Sequence, residues 1–411
     1  MEARSREARV GGAAQWPDIC GVCLAPTESR ERVHRQGGTD WGATRPEPNK
    51  NTHSPFVESV YAPYWSLSAR LAVIPWNLPS PTNKEENKYL RIVCADRLQA
   101  CGAGHDPATV PCMAEVHQLI LQHGIEEARR QALNKHERRV VEAAYQVLSD
   151  DAERMGFTYS GFALTSLPHK PPTTPTWRRE GHNITLVLQA GVDRNERSIG
   201  LPYGSYARFI LLFLQSEAIR TGSREVELGR SMRVWLGSMG LSIGGQTYKS
   251  VSEQARRISG CSLTFFADRS GAQIKSRGGF VKSEITMTNV IGDQPALWQD
   301  RVVLDEDFYR ALRDHPVPVS ETALRAIGPR SLVIDIYIWL AYRLHALRKD
   351  TEVGWPALHA QFGGGVAQIR SFRQHFIECL ALAVAAYPDA RVEIGARGVI
   401  LRPSRPAIAK A

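Results

Sequence analysis

The chain has 411 residues, a formal net charge of +9 and a pI near 9.3; it is long enough for two to four domains and basic enough to suit a polyanionic partner. Its seven cysteines are an odd number scattered through the sequence, which excludes a disulfide framework and, with no secretory signal, favours a reducing cytoplasm. The most apolar run, 332–344, is too short to cross a bilayer and contains Asp335 and Arg343, so it predicts a buried helix and no membrane association.

Residues 1–112 show no persistent helical or strand period and are expected to be a low-order extension. Cys20 and Cys23 form a CxxC in this part, but Cys94, Cys101 and Cys112 are too distant and irregular to complete a four-ligand zinc site. The register changes abruptly at Met113, which points to a start there, with the upstream residues opened by an early frame. From Met113 to about residue 155, apolar residues such as Val116, Leu119, Val140, Val141 and Ala144 recur at helical spacing. The stretch 156–180 ends Pro-rich and reads as an extended linker at a domain boundary.

A first module is predicted over 181–292. A strand at 183–189 is followed by a strongly apolar helix at 205–221, a short strand at 225–228, and a helix at 232–239 opened by Ser231 as N-cap. Glycines at 240, 244 and 245 turn the chain into an amphipathic helix carrying Tyr248, Val251, Ala255 and Ile258 on one side. A strand at 262–267, a basic Gly-rich loop and a second strand at 280–287 complete it. From Lys249 to Lys282 there are seven Lys or Arg against two acids, whereas 293–314 holds six acids against three Arg and reads as a connector. The positive charge is therefore local, as a footprint on nucleic acid should be.

The same order recurs in a second module over 315–411, which ends in a basic tail. A long apolar helix at 329–348 is followed by a shorter helix at 356–362, a Gly363–Gly365 turn, a helix at 366–387 and a tight hairpin at 391–403. The predicted fold is α+β: tandem winged-helix domains preceded by a helical segment and a largely unstructured N-terminal extension. In such modules the helix after the turn enters the major groove and the hairpin touches the backbone.

Long polar side chains on those helices can pair with base edges, while hairpin cations need only meet phosphates. The groove candidates of the first module are Gln246, Tyr248, Lys249, Ser250, Glu253, Gln254, Arg256 and Arg257, with Arg269, Lys275, Arg277 and Lys282 assigned to the backbone. In the second they are Gln368, Arg370, Ser371, Arg373 and Gln374, flanked by Arg397, Arg402 and Arg405. Cys261 and Cys379 read as core residues, and His359 and His375 as surface or packing residues.

Enzymatic signatures are mostly absent: the sequence contains no phosphate-binding G-x-x-x-x-G-K-[ST] loop and no HExxH. Tyr203, Tyr206 and Tyr248 lack the Arg and His companions that a strand-cutting tyrosine needs. A non-enzymatic protein without cofactor or metal is expected. The alternatives are a plain transcriptional repressor and a relaxase or recombinase.

The run RSIGLPYGSYARFILLFLQSEAIRTGSREVELGRSMRVWLGSMGLSIGG, followed by YKSVSEQARRISGCSLTFF, resembles the plasmid-encoded RepA family of bacterial replication initiators, over roughly 198–401. The resemblance implies a protein that binds repeated sites in double-stranded plasmid origin DNA, helps open the duplex and recruits the host's initiator and replicative helicase. It also implies two winged-helix modules on one repeat, a homodimer formed through the first module, and a part in plasmid copy control.

Overall fold

A computed structural model describes residues 115–150, 154–181, 183–269, 272–282 and 301–408. They all lie in one of the two units into which the chain divides, 1–25 with 98–411. The expectations for residues 1–112 and for a start at Met113 lie outside the described residues.

Three helices lead the described chain: α1 (Glu115–His123), α2 (Ile125–Gln131) and α3 (Lys135–Leu148). Asn134 caps α3 by accepting from His136 N and Glu137 N, and Glu137 returns a bond to Leu133 N, a reciprocal arrangement that satisfies the open end of the helix. Val141, Ala143 and Ala144 are buried.

The first half of the stretch expected to be a linker is instead part of the core, whereas its Pro-rich part, 169–175, is irregular and mostly exposed. The first half forms β1 (Met155–Tyr159) and α4 (Ser160–Leu164), every residue of which is buried. β1 pairs antiparallel with β8 (Pro316–Ser320), Gly156 facing Val319 and Thr158 facing Val317. Tyr159, Phe162, Phe265, Phe280 and Phe308 form a nest of mostly edge-to-face rings with centroids 5.4–6.3 Å apart, each pair worth about 0.5–1.5 kcal/mol beyond its area. The SGFAL segment shows no period because it has no solvent side.

β2 (Thr176–Gly181) and β3 (Ile184–Gln189) open a four-stranded sheet in the order β2-β3-β5-β6. α5 (Gly204–Thr221) follows and ends at Gly222, whose φ of +64° supplies the left-handed cap. β4 (Glu225–Glu227) and α6 (Met232–Ser238) come next, with Ser231 Oγ capping α6 through Val234 N as expected. α7 (Gly245–Gly260), β5 (Ser262–Arg269) and β6 (Ala272–Gly279) complete this unit.

The hairpin differs from expectation. Residues 272–279, read as a Gly-rich loop, form β6 in register with β5, Arg277 facing Thr264 and Lys275 facing Phe266. Cross-strand pairing outweighs the weak strand propensity of glycine and lysine here. Phe280 is fully buried, Val281 bridges to Leu304, and the rest of the strand expected at 280–287 falls largely outside the described residues. The part of the acidic connector that is described belongs to the first unit: β7 (Arg301–Val303) pairs with β4, and α8 (Glu306–Asp314), capped by Asp305, buries Phe308 and Leu312.

After β8, α9 (Glu321–Ile327) leads to the second unit: α10 (Ser331–Arg343), β9 (Thr351–Gly354), α11 (Trp355–Phe362), α12 (Ile369–Ala385), β10 (Val392–Ile394) and β11 (Gly398–Leu401). Its sheet has the order β10-β11-β9. The order helix, strand, helix, helix, hairpin therefore occurs twice, in agreement with the mixed α and β expectation. α3 lies against α9 and α12, and His117 Nε2 stands 2.8 Å from Ala385 O, so the leading helices are built onto the second unit. α5 and α10, the first helices of the two units, meet through Arg208 and Asp335, both buried.

Candidate nucleic-acid interface

α7 buries Val251, Ala255 and Ile258 at three- and four-residue spacing, which turns the positions between them outward. Gln246, Lys249 and Arg256 are exposed, Ser250 is half-buried, and Tyr248 is half-buried against the core. None of Lys249, Arg256, Arg277 and Lys282 takes part in an ion pair among the described residues.

Two of the groove candidates turn inward. Gln254 is only 2% exposed, and its Oε1 accepts from Tyr203 N at 2.8 Å. Arg257 donates from Nη2 and Nε to Glu253 Oε1 at 2.6 and 3.1 Å, and from Nη1 to Leu201 O at 3.1 Å. Its guanidinium also lies 5.1 Å from the Tyr203 ring centroid. A Cβ on Gly200, whose φ is +82°, would meet Arg257 Nη1 at 2.4 Å, so the Gly-Leu-Pro-Tyr turn is shaped around this side chain. Gln254 and Arg257 hold α7 to the turn before α5, and Glu253 is the counter-ion of Arg257.

On the hairpin, Arg277 and Lys282 are exposed. Arg269 pairs with Ala272 at the tip and Lys275 with Phe266; their side chains lie outside what is described. Sequence reasoning overlooked Arg230 and Arg233, which flank the Ser231 cap, are exposed and join no ion pair among the described residues. The signal was present as an arginine on either side of a helix cap.

α12 buries Phe372, Phe376, Cys379 and Leu380, leaving Gln368, Arg370, Ser371 and Gln374 exposed at its leading half. Arg373 is half-buried, with its guanidinium 4.9 Å from the Trp355 ring centroid. The turn into α12 is fixed from two sides. His359 Nε2 lies 2.7 Å from Val366 O, and Arg179 of β2 donates from Nη1 to Ala360 O at 3.1 Å. A Cβ on Gly364 would come within 1.9 Å of Arg179 Nη2, so this approach requires glycine.

The cations of the second hairpin are partly engaged. Arg397, at its tip and 85% exposed, pairs with Glu352 at 2.8 Å. Arg402 stands between Glu393 at 2.5 Å and Asp350 at 3.6 Å. Arg405 is exposed, and its carbonyl accepts from Tyr387 Oη. An exposed pair such as Arg397 with Glu352 is worth about 1 kcal/mol or less and is easily exchanged for a phosphate; Arg402 is neutralised on two sides and is the poorer candidate.

Cys261 and Cys379 are buried as expected, and burial pushes both thiols up to about 12. No group of three or more His, Cys, Asp or Glu is placed to hold a metal among the described residues. No helix among them is long and apolar enough to cross a membrane.

Two repeated units, each presenting a helix with exposed polar residues, define a two-headed protein. Residues 201–355 match the family described as plasmid encoded RepA protein. The match runs from the turn held by Arg257 to the first residue of α11. No curated protein matches the chain. Two crystal structures of domains 2 and 3 of RctB, one of selenomethionine derivatives, are similar at 12% and 11% identity with TM-scores of 0.38 and 0.34. They cover 59% and 58% of this chain and 95% and 93% of their own.

Proposed function

We propose that this chain is a plasmid replication initiator: a non-enzymatic cytoplasmic protein that binds repeated sequences at a plasmid origin through two winged-helix modules, assists duplex opening and recruits the host initiator and replicative helicase. The observation that carries the reading is the repeated unit itself. The two helices α7 and α12 each bury one apolar face and expose Gln and Arg on the other, in a chain whose segment 201–355 matches the plasmid encoded RepA family.

In this reading Gln246, Lys249, Ser250 and Arg256 enter one stretch of major groove, and Gln368, Arg370, Ser371 and Gln374 enter the next. Arg230, Arg233, Arg277, Lys282 and Arg397 meet phosphates on either side. The first module also carries the homodimer contact.

Footprinting on the replicon that carries the gene tests the proposal. Protection repeating over tandem sites beside an A·T-rich segment is the expected result. Protection of a lone palindrome at the gene's own promoter would instead make the protein a repressor, and a covalent protein–DNA adduct would make it an enzyme.

A further inference from the structure

Six large hydrophobic side chains stand exposed among the described residues: Leu133, Tyr145, Val192, Val234, Ile243 and Ile369. Two of them mark the leading ends of the two candidate reading helices. Ile243 directly precedes Gly244, the cap of α7, and Ile369 is the first residue of α12. They are 49% and 45% exposed. One exposed isoleucine is ordinary surface; one at the leading end of the same helix in each of two repeated units is a pattern.

The surroundings favour close approach by a partner with a polar edge. A Cβ on Gly244, Gly245 or Gly365 would meet nothing within 4 Å, so the backbone is bare at these three positions, as it is where a ligand comes near, while Gly363 and Gly364 in the turn before α12 are covered by His359 and Arg179. The neighbouring exposed side chains are polar: Gln246 and Lys249 follow Ile243, and Gln368 and Arg370 flank Ile369. A protein partner's apolar patch would need a wider apolar surface than one side chain. The 5-methyl group of thymine, set among hydrogen-bonding base edges in the major groove, needs one apolar side chain among polar ones.

We propose that Ile243 and Ile369 each read a thymine methyl group, so that each module requires a thymine at one position of its half of the site. This rests on α7 and α12 being groove-reading helices. A purely local role, with Ile243 stapling α7 through Tyr248 at the N′ and N4 positions, is indifferent to a methyl group on DNA.

Duplexes enriched from a random-sequence pool by the full chain are resynthesised with deoxyuridine replacing each thymine in turn, which removes only the methyl. The wild-type protein is expected to lose about fourfold in affinity at one position per module, equivalent to about 0.8 kcal/mol for one methylene-sized group returned to water. Ile369→Ala should abolish the response at its own position and leave the other, and Ile243→Ala the reverse. Wild-type affinity unchanged by every uracil, or an unchanged uracil response in both variants, overturns the proposal while leaving DNA binding intact. The wild-type scan depends on no variant folding. A pool that yields no enriched duplex removes the DNA-binding reading, and this inference with it.

Discussion

Arg208 closes a two-pronged ion pair on Asp335, Nε to Oδ1 and Nη2 to Oδ2, both at 2.6 Å, with both side chains more than nine-tenths buried. The remaining guanidinium hydrogens go to the carbonyls of Leu167, Pro168 and Gly204. Arg208 lies on α5 and Asp335 on α10, so one side-chain pair joins the first helices of the two units and also ties down the 167–168 segment. A fully satisfied pair of this kind specifies one packing more than it adds net stability.

Arg208→Ala or Asp335→Ala is therefore expected to cost about 3–5 kcal/mol in urea unfolding, since each leaves a buried charge alone. The double replacement Arg208→Met with Asp335→Leu should recover most of that loss. A double variant no more stable than the single ones would show that the pair contributes net attraction, not only register.

His169 sits against the same pair, its Nδ1 3.0 Å from Ser331 Oγ and 3.4 Å from Arg208 Nη2. Burial, reinforced by Arg208 and Arg179, pushes its pKa down to about 2 from 6.5. The unfolded chain then binds a proton that the folded chain refuses. Stability from this residue is complete above about pH 6.5 and is lost as the pH falls, by about 2 kcal/mol between pH 7 and pH 5. Urea midpoints across that range should show the loss in the wild type, and His169→Gln should remove it.

Much of this architecture is legible along the chain. The Ser231 cap, the apolar stripes of α7 and α12, strand β5 and the second hairpin can be read because each is set by residues within one turn or one strand pair. The rest depends on partners far away in sequence. β1 is a strand because β8 pairs with it across some 160 residues, and α4, enclosed on every side, has no polar face to mark its period. At the candidate interface, Gln254 and Arg257 carry the same residue types as true surface readers; only the Leu201–Tyr203 segment, more than fifty residues earlier, turns them inward.

That distinction divides two adjacent arginines. Arg256→Ala should leave thermal unfolding within about 0.5 kcal/mol of wild type, as surface changes do, while lowering affinity for a selected duplex about tenfold or more through a lost base or phosphate contact. Arg257→Ala removes charged hydrogen bonds to Leu201 O and Glu253 and should cost about 1.5–3 kcal/mol of stability. Gly200→Ala, which crowds the same guanidinium, should behave like Arg257→Ala. Calorimetry paired with a binding isotherm checks all three, and equal stability losses at 256 and 257 would refute the division.

The cations that meet only phosphate have a different signature, because each releases counterions whatever the base sequence. Arg233→Ala and Arg277→Ala should weaken binding to selected and random duplexes alike, and each should reduce the slope of log K against log salt by about 0.9. Arg397→Ala should do so less, since in the free protein Glu352 already neutralises that side chain at 2.8 Å and its pairing must be broken before a phosphate can replace it. Glu352→Gln then supplies the converse, freeing Arg397 and raising affinity at low salt for every duplex. Fluorescence anisotropy from 50 to 300 mM salt, with one selected and one scrambled duplex, measures both the slope and its independence of sequence.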